Sequence, residues 1–175
     1  MMERPSADEF VPYFAGYVAK AKLDPIAQLA TQAMEIKELA GLNDSGATVR
    51  PAPGEWSLKE ILQHLCDFER MFAYRALRFS RGDTTPLAAF EQDDYIAAAE
   101  ANERDLATIV EELVLLRASM LLLFESFTLD MMLRRGSAGG NSVSVRALLF
   151  ITAGHCEGHL EDIGKTLEAG ARIVD

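Results

Sequence analysis

The clearest helix start in the chain is the stretch WSLKEILQHL at residues 56–65. Within it, Ser57 and Glu60 are three residues apart and form a capping box, in which each side chain accepts a hydrogen bond from the other residue's backbone N–H. Apolar residues then recur at helical spacing until an Arg-Gly-Asp turn interrupts them. The pattern predicts a helix over about residues 58–80.

Three other segments have the three- and four-residue apolar spacing of amphipathic helices. Asp24 and Pro25 supply an N-cap and a favourable first residue for a helix to about residue 40. A second segment covers about residues 103–127, and a third begins after an N-cap at Ser144 and runs to about residue 168. Strand-like alternation is almost absent, and the glycine-rich residues 136–141 are predicted to form a turn. Four long helices without strands predict an all-α fold, a four-helix bundle.

Length and composition favour one domain over residues 1–175. A chain of 175 residues that is 49% hydrophobic can form one core and is short for two domains. No apolar run approaches the ~18 to 20 uncharged residues of a membrane span. The N-terminus contains Glu3 and Asp8 and lacks the apolar segment of a signal peptide, so the expected location is the cytoplasm.

The charge balance argues against nucleic acid as a partner. Acidic residues outnumber basic ones 27 to 17, and the net charge is -10. A nucleic-acid-binding protein needs a basic surface that displaces counterions from the phosphates. Cys66 and Cys156 are too few for a disulfide framework and are expected to be free thiols. The expected partner is therefore a small-molecule substrate of unknown identity, without nucleic acid or membrane.

The chain contains three histidines, His64, His155 and His159. His155 and His159 are four residues apart, so both project from one face of the last predicted helix, about 5 to 6 Å apart. This spacing is typical of helices that bind zinc. The alternative is that all three are packed core residues, although burying three imidazoles without a partner costs several kcal/mol. Spacing alone leaves both interpretations open.

Two stretches resemble the DinB-like family of metalloenzymes. The first is PGEWSLKEILQHL at residues 53–65, where a tryptophan–serine helix start precedes a histidine two turns into the helix. The second is VSVRAL at residues 143–148, followed by the H-x3-H pattern of His155 and His159. The resemblance spans about residues 22–168 and leaves residues 1–21 as an N-terminal extension that is expected to pack on the bundle.

This resemblance implies a bundle of the DinB/YfiT-like type and a divalent transition metal, nickel or zinc, held by His64, His155 and His159. It also implies a homodimer. Family members often have a glutamate and a second histidine at the places that Cys156 and Gly158 occupy here. A catalytic role for those positions is therefore not carried over, and the catalytic residues stay unknown.

Three protein ligands leave a coordination position open, whereas structural zinc sites are usually closed by four. Asp67 and Asp162, each three residues after a histidine, are candidates to orient an imidazole or to act as a base. The alternative is that both are solvated helix charges. The expected function is a metal-dependent hydrolase or a low-molecular-weight-thiol-dependent transferase. The alternative function is a non-enzymatic metal-binding or stress-associated interaction protein.

Overall fold

A computed structural model describes residues 2–171 of the chain. The predicted domain also includes residues 1 and 172–175, which lie outside the described part. The elements are, in chain order, α1 (Ala15–Lys20), α2 (Pro25–Glu38), α3 (Leu58–Ser80), α4 (Gln92–Ala99), α5 (Leu106–Glu125), α6 (Leu129–Leu133), β1 (Arg135–Ala138), β2 (Asn141–Ser144) and α7 (Val145–Ala171).

The four long helices α2, α3, α5 and α7 form a bundle in which each helix contacts two others. Helix α3 lies between α5 and α7, and α2 contacts the same two helices from the opposite side. Their apolar faces build the core, because burial of an apolar stripe stabilises a helix far more than its intrinsic propensity does. The predicted all-α four-helix bundle is confirmed.

Helix α3 begins at the predicted capping box. The Ser57 Oγ accepts a hydrogen bond from the Glu60 backbone N–H at 3.2 Å, and the Glu60 carboxylate accepts one from the Ser57 N–H at 2.8 Å. These bonds satisfy two amide donors that a helix start otherwise leaves without partners. The helix runs from Leu58 to Ser80, as predicted, and carries His64 in its second turn.

Helix α7 begins at the predicted Ser144 cap, whose Oγ accepts a hydrogen bond from the Ala147 backbone N–H at 2.9 Å. The same hydroxyl donates to the carboxylate of Glu9 at 2.7 Å, and Glu9 also forms an ion pair with Arg146. A segment near the N-terminus of the chain thus stabilises the first turn of α7, the helix that carries two of the histidines.

The prediction of a simple turn at residues 136–141 is wrong. This segment belongs to a β-hairpin in which Arg135 faces Ser144 and Ala138 faces Asn141. Gly139 and Gly140 form its tip with φ angles of 58° and 78°, which glycine adopts without strain. The strands were missed because they are four residues long and only the second one has a buried apolar residue, so no alternation is visible.

Helix α1 packs directly against α7. A Cβ atom at Gly154 would lie 1.7 Å from the backbone oxygen of Tyr17, so the two helices touch backbone to backbone. The absence of a side chain at Gly154 is therefore what lets α1 lie directly on α7. At Gly158 the nearest atoms of Lys20 and Tyr17 are 3.7 Å away, an ordinary van der Waals distance.

A buried ion pair links three helices of the core. Arg117 of α5 and Glu69 of α3 are 1% and 2% exposed, and the Arg117 Nε lies 2.9 Å from the Glu69 Oε1. The Arg117 Nη1 also donates to the backbone oxygen of Leu29 on α2 at 2.9 Å. Within residues 2–171, none of the helices combines the length and the apolar character needed to cross a membrane.

Candidate metal centre

Helices α3 and α7 bring the three histidines together. The Nε2 atoms of His64 and His155 are 3.0 Å apart, and those of His155 and His159 are 3.2 Å apart. His64 and His155 are each 2% exposed, and His159 is partly buried. The structure therefore brings the three histidines, from two helices, within reach of a single cation.

All three imidazoles are held in their neutral form. Burial and the neighbouring His159 lower the pKa of His64 to about 3. Burial and both other histidines lower the pKa of His155 well below its usual value, and burial lowers the pKa of His159. A neutral imidazole offers one unprotonated nitrogen, which is the form that binds a metal.

The contacts between the Nε2 atoms fit a shared cation better than a hydrogen-bonded chain. One Nε2 atom has either one proton or one lone pair, so that of His155 cannot form two good hydrogen bonds to its two neighbours. Zinc bound to histidine at 2.0 to 2.1 Å in a tetrahedral site separates the donor nitrogens by about 3.3 to 3.4 Å. The observed 3.0 and 3.2 Å are close to that separation.

The Nδ1 atoms of two of the imidazoles lie without a hydrogen-bond acceptor among the described residues. When Nε2 presents its lone pair, the proton is on Nδ1 and needs an acceptor. The Nδ1 atoms of His155 and His159 are buried and have no hydrogen-bond partner among the described residues. The Asp162 carboxylate lies 3.7 Å from the Nδ1 of His159, beyond direct hydrogen-bond distance but within reach through a small ring movement or a bridging water.

Aromatic side chains hold the imidazole rings in place. The Phe68 ring stacks on His155 with a centroid distance of 3.7 Å and an interplanar angle of 11°. Trp56 lies 4.9 Å from His64 and 6.1 Å from His159, and Tyr17 meets His155 edge to face at 5.1 Å. These contacts restrict rotation of the imidazole rings.

Two clefts reach the histidine cluster, one at His155 and the other at His159. The first, of about 460 Å³, is lined by His155 and by aromatic residues of α1 and α3. The second, of about 350 Å³, is lined by His159, Trp56, Asp162 and Lys165. Asp93 lines both clefts. Volumes of this size fit small metabolites.

The sequence profile of the DinB superfamily matches residues 28–163. The chain belongs to the DinB superfamily. Among solved structures, it is similar to YfiT from Bacillus subtilis, which is described as a probable metal-dependent hydrolase with an unusual four-helix bundle topology. The two share 13% sequence identity with a TM-score of 0.71 over 98% of this chain and 93% of that one, which shows a common fold. No curated protein matches the chain.

The two candidate carboxylates of this DinB member lie in different places. Asp162 lies in the cleft of His159 and also accepts a hydrogen bond from Lys165 at 2.8 Å. Asp67 accepts one from Gln63 at 3.0 Å and lines a separate cleft with Arg104. The structure therefore brings Asp162 to the histidines and leaves Asp67 outside their clefts.

Cys156 and Glu157, which lie between the two histidines of α7, contact other parts of the bundle. Cys156 is a free, buried thiol, as expected, and its burial raises the pKa of the thiol. Glu157, which the sequence interpretation passed over, accepts hydrogen bonds from Gln28 at 2.9 Å and Gln32 at 2.7 Å on α2. In this DinB member, both residues serve the packing of α7 in the bundle.

Sequence reasoning also missed the aromatic residues around the site. Phe68 lies one turn after His64 on the same face of α3, and this spacing alone indicates a neighbour of the cluster. Tyr17 gives no such signal, because it comes from a segment outside the family match. Only the glycine at position 154 indicates that another backbone approaches α7 there.

Proposed function

We propose that this DinB protein binds one divalent transition metal, nickel or zinc, through the Nε2 atoms of His64, His155 and His159. The observation that carries this proposal is the convergence of three neutral, buried Nε2 atoms at 3.0 and 3.2 Å. An all-imidazole donor set suits zinc, nickel and related transition metals. When bound, such a cation with three protein ligands keeps a coordination position open, polarises a carbonyl group and lowers the pKa of water or of a thiol.

We further propose that the protein is a metal-dependent hydrolase. The fold that it shares with YfiT and the two clefts at the histidines support this reaction class. Phe68 and Trp56 keep the imidazoles oriented, and Tyr17 packs edge to face against His155. The carboxylate of Asp162 lies in the same cleft as His159. There it serves as the base that accepts a proton from water.

A second candidate is a low-molecular-weight-thiol-dependent transferase. One observation favours it specifically: a cleft of about 460 Å³ reaches the cluster at His155, and a second one of about 350 Å³ reaches it at His159. A transferase must bind a thiol and an acceptor at once, and the two clefts provide separate places for them. A hydrolase needs only one of the two for its substrate.

Elemental analysis of the purified protein tests the metal proposal. The wild type is expected to contain about one nickel or zinc per chain, and His155→Ala to lose it because one of three ligands is missing. Cys156→Ala is the matched control, since it changes the next residue, which is buried away from the cluster. Equal metal content in all three proteins would contradict the proposed ligands.

Turnover then separates the functions. The metal-loaded protein is assayed on ester and amide panels and on thiol conjugation with common cellular thiols. Hydrolysis without added thiol supports the first candidate, and strict dependence on a thiol supports the second. A full metal complement without turnover, together with a closed coordination shell in a metal-bound crystal structure, would favour a non-enzymatic metal-binding or stress-associated interaction protein.

A further inference from the structure

Arg75 lies on the same face of α3 as His64. Eleven residues correspond to three helical turns, so the two side chains leave the helix in nearly the same direction, about 16 Å apart along its axis. Phe68 and Phe72 lie between them at one-turn intervals. Helix α3 therefore carries one continuous stripe of a histidine, two phenylalanines and an arginine.

This arginine is the exception among the buried charges. Apart from Arg75, every buried acidic, lysine or arginine side chain among the described residues forms an ion pair. These paired residues are Glu9, Lys59, Glu60, Glu69 and Arg117. Burying a cation without a counterion is costly, so such a group normally has a partner. Among the described residues, no carboxylate forms an ion pair with Arg75.

One N–H donor of the Arg75 guanidinium also lacks an acceptor among the described residues. The residue is 7% exposed, and its Nη2 donates to the backbone oxygen of Ala88 at 3.2 Å. Its Nε is buried without a hydrogen-bond partner among the described residues. The guanidinium packs over Phe72 and Phe90 at 5.3 and 5.5 Å from their ring centroids, which fixes its plane.

Arg75 and His155 line the same cleft, of about 460 Å³. An unbroken aromatic wall connects them. Phe68 stacks on His155 at 3.7 Å and on Phe72 at 3.9 Å, and the guanidinium lies over Phe72. A planar small molecule that lies along this wall therefore meets the arginine at one end and the histidine cluster at the other.

We propose that this cleft binds a small organic carboxylate with a planar, unsaturated body. Its carboxylate accepts hydrogen bonds from Arg75, its body packs along Phe68 and Phe72, and its other end points to His155. A carboxylate matches the planar fork of a guanidinium and supplies the missing counterion. A reaction at the end near His155 rests on the proposed metal-dependent function, whereas recognition of the anion by Arg75 does not.

Acidic residues at the mouth of the cleft do not contradict this assignment. Glu91 and Asp93 line the cleft, but both side chains are exposed to water. Water and salt screen exposed charges, whereas a buried guanidinium acts in a less polar environment. The arginine therefore dominates at the inner end, where the carboxylate is placed.

Calorimetric titration of the full-length protein as purified tests the proposal with trans-cinnamate and its neutral analogue trans-cinnamamide. The acid is expected to bind at least tenfold more tightly than the amide. Arg75→Gln is expected to weaken binding of the acid at least tenfold and to leave the amide unchanged. Arg81→Gln is the matched control, because it removes an exposed arginine just after α3 that does not line this cleft. Equal affinities for acid and amide, or unaltered acid binding by Arg75→Gln, would overturn the proposal.

Two further measurements distinguish recognition by Arg75 from misfolding of the variant and from direct binding of the carboxylate to a metal. Arg75→Lys keeps the charge and the aliphatic stem but loses the fork, so intermediate acid binding with an unchanged melting temperature excludes simple misfolding as the cause. Titrations with chelator present remove direct binding of a carboxylate to a metal. An acid preference that vanishes with chelator and persists in Arg75→Gln would assign the carboxylate to the metal and overturn the role of Arg75. An Arg75-dependent preference in a protein that proves to lack metal would leave this inference standing while the proposed function fails.

Discussion

The backbone oxygen of Tyr17 lies so close to Gly154 that a Cβ atom there would be 1.7 Å away. Helix α1 can therefore contact α7 only because residue 154 has no side chain. The next residue of α7 is His155, and the ring of Tyr17 packs against it at 5.1 Å. This contact joins the N-terminal segment to the histidine cluster.

Gly154→Ala is expected to displace α1 from α7. Alanine favours a helix over glycine by about 1 kcal/mol, but the methyl group would overlap the Tyr17 carbonyl, which is backbone and cannot rotate away. We expect a lower melting temperature and faster amide hydrogen exchange over residues 15–20. Hydrogen exchange followed by mass spectrometry measures the second effect directly.

Gly164→Ala is the control for this substitution. Gly164 lies on the same helix and is exposed, and a Cβ atom added there would meet no heavy atom within 4 Å. The added methyl group should stabilise the protein by up to about 1 kcal/mol, because only the helix propensity changes. Equal behaviour of the two variants would contradict the close contact at Gly154.

Glu9 is expected to make stability depend on pH. Burial acts to raise its pKa, but hydrogen bonds from Arg146, Ser144 and Ser6 outweigh this effect and lower it to about 2 from 4.5. A lowered pKa in the folded state means that the stabilisation is fully present above about pH 4.5 and is lost as the pH falls toward 2.

Urea denaturation of Glu9→Gln at several pH values checks this dependence. The free energy of unfolding should fall by about 1 to 3 kcal/mol at pH 7, because a buried charged partner is left unsatisfied. The difference from wild type should shrink as the pH falls toward 2. Glu3→Gln is the control, since Glu3 is exposed and forms no ion pair among the described residues. A difference that is constant with pH would contradict the ionised role of Glu9.

Removal of one partner of the buried pair Arg117–Glu69 is expected to destabilise the core strongly. Glu69→Gln keeps the volume but leaves a 1% exposed guanidinium without its counterion, at a cost of about 3 to 5 kcal/mol. The double variant with leucine at Glu69 and methionine at Arg117 should recover most of this loss, because neither charge remains buried. Chemical denaturation measures both values.

A more exposed ion pair between the same two helices provides the comparison. Arg70 of α3 and Glu112 of α5 are 2.7 Å apart with side chains that are 47% and 23% exposed. Arg70→Gln should cost less than about 1 kcal/mol, since Arg70 is half exposed and Glu112 keeps its ion pair with Arg104. A loss as large as that of Glu69→Gln would show that burial does not set the difference.

The long helices and the three histidines were predictable because their signals are local. The capping box of Ser57 and Glu60 is contained in four residues, and the pair His155 and His159 in five. Such patterns follow from helix geometry alone and do not depend on the rest of the fold. The meeting of His64 with that pair needed the family resemblance, because spacing left core packing open as an alternative.

The surroundings of the site were not predictable for a corresponding reason. Tyr17 lies 138 residues before His155 and contacts its ring. The residues around Tyr17 contain no pattern that predicts this contact. The hairpin at residues 135–144 is held by its two glycines and by Gly136, where a Cβ would lie 2.0 Å from the Phe79 ring, rather than by apolar alternation. Both features depend on close approach of distant segments, which a one-dimensional pattern does not encode.

Metal removal is expected to lower the thermal stability of the protein, since a ligand that binds only the folded state stabilises it. At a free metal concentration of a hundred times Kd, this contribution is about 2.7 kcal/mol. Differential scanning fluorimetry with added nickel or zinc, and then with chelator, should give a higher and a lower melting temperature. The shift should be absent in His64→Ala and retained in Cys66→Ala, which removes a buried thiol two residues away on α3. If the three histidines were ordinary core residues, His64→Ala would respond to chelator in the same way as the wild type.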